Sequence, residues 1–231
     1  MAEPFTGVVA VDGPSGSGKS TVSRGLAVAL GARYLDTGAM YRAVTLAVLR
    51  AGVAPTDAAE VERVLAEIRL EPITDALAPS ILLDGEPADV EIRTAEVTAA
   101  VSAVAAVPAV RTVLIAQQRK VIGAGGIVVE GRDITTVVAP DASVRVLLTA
   151  SEDARAARRS AETGTAALDQ AEALRRRDTL DSQTTEFLTA APGVDVVDTT
   201  EMDRDAVVTH LIALVADRTG FRVDPVPAPQ P

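Results

Sequence analysis

The chain has 231 residues, 48% of them hydrophobic and 2% aromatic, with a formal net charge of -10 and no cysteine. That length and apolar content exclude a disordered chain and suit one packed core carrying insertions. The acidic balance argues against a partner bound through a nucleic-acid backbone, and the missing cysteines exclude disulfides and thiolate zinc sites.

The first residues, MAEPFTG, lack the basic and apolar segments of a signal peptide, so a soluble cytoplasmic protein is expected. Val8–Asp12 is a short apolar run that ends at a glycine-rich turn. Ser20–Leu30 then has helical spacing, with Val22, Leu26 and Leu30 on one face and Gly31 suited to its end. Met40–Arg50 and Ala58–Ile68 are expected helices on either side of the turn AGVAPTD. Between Glu67 and Glu91, the runs EIRLEPI and SILLDGE predict small antiparallel strands outside the main sheet.

Val97–Gln118 reads as helix interrupted at Pro108. Its apolar part around Ala99–Val110 is too short to span a bilayer. Ile127–Val129 and Val144–Leu148 have buried-strand character. Ala154–Arg177 is charged and helical, with a soft spot at Thr163–Thr165. Val194–Val197 predicts a last central strand, Asp205–Arg218 a closing helix, and VDPVPAPQP a frayed tail. This alternation implies an α/β fold with a mostly parallel sheet covered by helices. Segments 38–110 and 150–185 are expected as insertions over the ligand edge.

The turn after the first strand is GPSGSGKS, which fits Gly13-x-x-x-x-Gly18-Lys19-Ser20 at every fixed position. Glycines let successive N–H groups converge on phosphate oxygens, and the following helix adds its N-terminal dipole. Gly13, Pro14, Ser15, Gly16, Ser17, Gly18, Lys19, Ser20 and Thr21 are thus the candidate ATP site. Lys19 can reach the β- and γ-phosphates, and the Ser20 hydroxyl can ligate Mg²⁺. Lys19 and Lys120 are the only lysines of the chain.

A GTPase switch is not supported, because the chain has no asparagine and no Thr-Lys-x-Asp segment. A kinase needs a second pocket that holds an acceptor in line with the donor. LDTGAMYR follows the first helix, where a second strand should end, and Gly38 permits a tight turn there. Arg42 could hold a second phosphate near the first, or be a surface cation. Asp36 could orient a magnesium-bound water or fix Arg42. In GIVVEGRD, Arg132 and Asp133 should emerge at the sheet edge where open α/β sheets bind ligands. Arg132 suits an acceptor phosphate and Asp133 a base or ribose donor; a plain salt bridge is the alternative. Arg155, Arg158 and Arg159, with Arg175–Arg177, form either a solvated helix face or a lid that neutralises the transferring group.

Together these residues resemble the bacterial cytidylate kinase family. The likeness runs through GVVAVDGPSGSGKST, YLDTGAMYRAVTLAVL, EIRTAEV, VVEGRDITTVVAPDA, RRRDTLDS and VVDTT, nearly the whole chain. It implies transfer of the γ-phosphoryl of Mg·ATP to CMP or dCMP. The alternatives are another nucleoside monophosphate kinase or a non-catalytic nucleotide-binding protein derived from one. It implies a P-loop core from 1–37, 111–149 and 186–222. A CMP-binding region would occupy 38–110, with its antiparallel insertion near 63–92. A lid would occupy 150–185 and a flexible tail 223–231.

By the same likeness, Arg42 and Arg132 are acceptor-phosphate ligands, and Asp36 and Tyr41 are further CMP-binding residues. Ser102, Arg111 and Asp133 recognise cytosine, and Arg177 with Asp181 reaches the acceptor phosphate and sugar. Lys19, Arg155, Arg158, Arg159 and Arg177 serve catalysis. The implied partners are small nucleotides, with no nucleic acid and no membrane, and the expected state is a monomer. Two positions depart from the family: Thr135 stands where it usually has glycine, and Thr184 where it usually has an arginine of the monophosphate clamp. Loss of that charge predicts weaker CMP binding.

Overall fold

In the computed structural model, the described residues are 4–164 and 167–223. Residues 224–231 of the expected tail, and Thr165 of the soft spot, lie outside them. The order of elements begins β1 (Val8–Asp12), α1 (Lys19–Leu30), β2 (Arg33–Asp36), α2 (Thr37–Arg50), α3 (Ala58–Glu67), β3 (Leu70–Ile73), β4 (Ser80–Leu83) and β5 (Glu86–Pro87). It continues with α4 (Ala95–Ala105), α5 (Pro108–Ile122), β6 (Ile127–Gly131), β7 (Val144–Thr149), α6 (Glu152–Thr163), α7 (Ala167–Asp181), β8 (Asp195–Asp198) and α8 (Arg204–Thr219).

Five strands form one sheet in the order β2-β6-β1-β7-β8, and each described pairing is parallel. Helices on both faces bury the inner strands, which is why Val9, Ala10 and Val11, like Ile127, Val128 and Val129, are continuous apolar runs. The register Asp12↔Gly131 and Asp36↔Glu130 brings the C-terminal ends of β1, β2 and β6 to one edge. That edge is where such sheets bind ligands. A separate antiparallel sheet, β3-β4-β5, falls where EIRLEPI and SILLDGE predict it.

Several element limits differ from expectation for local reasons. α2 begins at Thr37 rather than Met40, because the Asp36 carboxylate caps it by accepting from Ala39 N at 2.9 Å. Gly38 therefore lies inside the helix rather than making a turn. Pro108 opens a second helix instead of interrupting one, as proline does at a first helical position; α4 and α5 meet at 97°. The expected boundary between 110 and 111 thus cuts α5. The charged segment is two helices, and α7 runs on to Asp181. Among the described residues no single helix is long and apolar enough to cross a membrane.

Candidate active site

The loop from β1 to α1 depends on its glycines. At Gly13, φ is +150° and a Cβ would stand 2.2 Å from the Leu148 carbonyl oxygen, so no side chain fits. Lys19 opens α1, is buried, and donates from Nζ to the Pro14 carbonyl at 2.9 Å. Ser20 Oγ donates to Glu130 Oε1 at 2.6 Å. Tyr34 OH donates to the same carboxylate oxygen at 3.3 Å, so two hydroxyls hold Glu130 at the end of β6. At the neighbouring Gly131, a Cβ would lie 2.4 Å from Thr37 Oγ1. The absent side chain lets β6 approach α2 while Thr37 Oγ1 bonds the Glu130 carbonyl at 2.8 Å.

A cleft of about 960 Å³ opens over this edge. It brings together Ser15, Gly16, Gly18, Lys19, Ser20 and Thr21 of the loop with Asp36 and Arg42, Glu130 and Arg132, and Arg159 and Arg177 of the helices above. Gly13, Pro14 and Ser17 are buried behind that lining. Arg42 is buried, and its Nη1 donates to the Ile92 carbonyl at 3.0 Å and Thr98 Oγ1 at 2.9 Å. Arg132 donates from Nη2 to Ser15 Oγ at 2.7 Å and from Nε to Asp181 Oδ2 at 3.0 Å. The Arg177 Nε is buried without a hydrogen-bond acceptor among the described residues.

Charge in this cleft is unbalanced toward cations. Burial lowers the Lys19 pKa to about 8, and Arg132 pushes it the same way. Arg42 is lowered by burial and then by Arg177, and Arg177 by burial and then by Arg132. Burial raises Glu130 to about 7, with Asp36 adding to the rise. Several buried cations that repel one another, beside a loop of backbone donors, are a receptor for polyanions.

The remaining expected residues lie beside the cleft rather than on its lining. Arg111 pairs with Asp133. Ser102 Oγ donates to Asp181 Oδ1 at 2.7 Å, and Asp181 in turn holds Arg132. The Tyr41 hydroxyl is buried, and burial with the Asp133 charge pushes it up to about 12. The lid arginines divide. Arg159 faces the cleft. Arg155 is buried against Asp178 and donates to the Ser15 carbonyl at 3.0 Å, so it braces the loop. Arg158 donates to Thr199 Oγ1 at 3.0 Å and to the Thr199 carbonyl, which ties α6 to the end of β8.

Thr184, at the position where the resemblance has the clamp arginine, lies away from the cleft lining. It is exposed, donates to the Asp181 carbonyl at 3.1 Å, and lines a different groove with Arg111 and Arg119. Sequence reasoning missed Glu130 and Asp178. The signal for Glu130 is an acid closing a buried apolar run; for Asp178 it is an acid directly after the arginine triplet.

The cytidylate kinase family model matches residues 9–217. The protein belongs to the cytidylate kinase family. It is therefore a kinase, and its relatives are similar over almost their whole length. A cytidylate kinase of Mycolicibacterium paratuberculosis is 54% identical over 92% of this chain and 96% of the relative. One from Streptomyces griseus is 49% identical over 90% of this chain and 92% of the relative. Among solved structures, an uncharacterized protein from Eubacterium ventriosum has a TM-score of 0.52. It covers 93% of this chain and all of its own at 12% identity, a likeness of fold alone.

Proposed function

We propose that this member of the cytidylate kinase family transfers the γ-phosphoryl group of Mg·ATP to CMP or dCMP. The observation that carries the proposal is the convergence of Lys19, Arg42, Arg132, Arg159 and Arg177 on one cleft beside the Gly13–Ser20 loop. A phosphoryl group passing between two nucleotides needs that density of positive charge, and little else from the protein.

ATP would lie with its phosphates on the loop amides and Lys19. An oxygen of the CMP phosphate, held by Arg42 and Arg132, attacks the γ-phosphorus. The bond to the β–γ bridging oxygen breaks, and its electrons leave with ADP. Arg159 and Arg177 face the charge on the transferring group. Ser102, Arg111 and Asp133 read cytosine: its exocyclic amine meets an acceptor, whereas the carbonyl of uracil in that place would face Asp133 badly. Arg155 and Arg158 serve through placement, the first bracing the loop and the second anchoring the lid helix.

The donor chemistry at the loop suits Mg²⁺. A hydroxyl and a carboxylate, Ser20 and Glu130, stand 2.6 Å apart as hard oxygen ligands beneath the phosphate site. Ser20 and Glu130 would hold the ion that arrives with ATP, and the ion would draw charge from the phosphates. The division into a core of 1–37, 111–149 and 186–222, a CMP-binding region at 38–110 and a lid at 150–185 belongs to the same proposal. So does a cytoplasmic monomer with small nucleotides as its partners and no nucleic acid or membrane.

The test is ADP release coupled to a reporter, with Mg·ATP and CMP, dCMP, UMP, AMP or GMP. Turnover with CMP and dCMP well above the others is expected. Folded protein that binds ATP but releases no acceptor-dependent ADP would favour the non-catalytic alternative, which the threonine at position 184 motivates.

A further inference from the structure

Phe187 is among the most buried side chains, at 1% exposure, yet it belongs to neither of the two apolar core clusters formed by the described residues. The chain has only five aromatic residues. Phe5 and Phe221 pack on each other at 5.3 Å. Phe187 instead lies under a cation: Arg132 Cζ stands 4.5 Å from its ring centroid. The residue sits six positions beyond the end of α7, on a segment tethered to that helix by Thr185 Oγ1, which donates to the Asp181 carbonyl at 3.0 Å.

The two sides of the Arg132 guanidinium do different things. Its edge donates to the Gly13 carbonyl, to Ser15 Oγ and to Asp181. All five N–H donors of a guanidinium lie in that plane, and its face carries none. An incoming phosphate that takes two donors of this edge competes there with Gly13, Ser15 or Asp181. A contact on the face costs no donor and survives that exchange. An aromatic ring is the side chain that attracts a cation through its face while making no competing hydrogen bond.

We propose that Phe187 is a positioning residue for acceptor binding, its ring fixing the plane of Arg132 so that the guanidinium edge stays aimed at the acceptor phosphate. This rests on the reading of Arg132 as an acceptor-phosphate ligand. Phe187 touches the arginine and not the substrate, so it acts on acceptor affinity more than on the donor.

The experiment separates the ring's electrons from its bulk. Phe187 is replaced by 4-fluoro-, 3,5-difluoro- and 3,4,5-trifluorophenylalanine, which keep its shape while draining the π face, and by leucine. CMP dissociation constants are measured by calorimetry, and Michaelis constants for CMP and ATP by ADP release; melting curves report folding. The expected result is CMP affinity that falls stepwise with fluorination. Phe187→Leu should bind CMP about 5- to 30-fold more weakly, with the ATP constant within about twofold of wild type. CMP binding by wild type with a flat fluorine series would overturn the proposal and leave the acceptor-site reading standing. No CMP binding by wild type would overturn both. If Phe187→Leu does not fold, the fluorinated series still decides, because those variants keep the packing.

Discussion

Ser20 Oγ donates to the Glu130 carboxylate across 2.6 Å, and this bond joins the end of the phosphate loop to the C-terminal edge of β6. The two residues are 110 positions apart, and the parallel pairing of β1 with β6 is what brings them together. Two chemistries therefore meet at one point: a loop that gathers phosphate and an acid that suits a cation. The carboxylate is also buried with Lys19 and Asp36 nearby, so the same spot is electrostatically tense before any nucleotide arrives.

That tension has a pH dependence. Glu130 has its folded pKa raised from 4.5 to about 7 by burial and by Asp36. Its contribution to stability is therefore full below pH 4.5 and is lost as the pH rises toward 7. Lys19, lowered from 10.5 to about 8, acts in the other direction: its contribution is full above pH 10.5 and is lost as the pH falls through 8. At about 1.4 kcal/mol per pKa unit, the Glu130 effect reaches roughly 3 kcal/mol at most. Melting curves of nucleotide-free protein in a chelator, from pH 5 to pH 7, should fall less steeply for Glu130→Gln than for wild type. Parallel curves would show that the carboxylate is not the group titrating there.

Lys19 should separate the donor from the acceptor. Its ammonium sits inside the loop, bonded to the Pro14 carbonyl, and among the described residues no acceptor-side group bonds it. Lys19→Ala is expected to cut kcat/KM for ATP by about 10²-fold or more, in the range of losing one electrostatic donor to a transition state. CMP affinity, measured by calorimetry without ATP, should change by about threefold at most, well under 1 kcal/mol. Equal losses at both sites in a folded variant would remove Lys19 from the donor role.

How much of this was legible in the sequence depends on distance along the chain. The phosphate loop is contiguous, and its glycine, lysine and serine spacing encodes its geometry directly. The parallel sheet was legible because strands buried on both faces must be continuous apolar runs, as at residues 8–11 and 127–129. The fate of each arginine was not legible. Arg155, Arg158 and Arg159 look alike on a helix, yet one braces the loop, one binds the Thr199 carbonyl, and one faces the cleft. Acceptors from the residue after β8 and from the loop make that choice, and helical spacing carries no trace of them. Gly38 misled for a local reason: a glycine two residues after a capping Asp36 is inside the first turn of a helix, where it resembles a loop residue.

Thr135 has a role that its place in the resemblance does not foretell. Where glycine is usual, its hydroxyl donates to Asp12 Oδ2 at 2.7 Å, beside the backbone donors Ile134 N and Thr135 N. Asp12 is buried at the end of β1, and burial raises its pKa despite those donors. Thr135→Val keeps the volume and removes one bond to a buried carboxylate. We expect a loss of about 1.5–3 kcal/mol, or roughly 3–12 °C in melting temperature for a chain of this size. Thr135→Ser should restore most of it. A valine variant as stable as wild type would mean that the two backbone donors already satisfy Asp12.

Arg42 should reverse the usual link between stability and binding. Its guanidinium is buried without a carboxylate within ion-pair distance among the described residues, and burial with Arg177, Arg93 and Arg159 opposes its charge more than Asp36 favours it. Replacing it with methionine removes bonds to the Ile92 carbonyl and Thr98, but it also removes that repulsion. Stability of the nucleotide-free protein should change by about 1 kcal/mol or less, the two effects offsetting each other. A charge-assisted bond to a phosphate is worth about 1.5–3 kcal/mol, so CMP affinity should fall about 10- to 150-fold. The measurement is a pair of melting curves, with and without saturating CMP, for each protein. Wild type should gain melting temperature on adding CMP, and Arg42→Met should gain little at the same concentration. A variant that CMP stabilises as fully as wild type would move the acceptor phosphate away from α2 and toward Arg132 and Arg177.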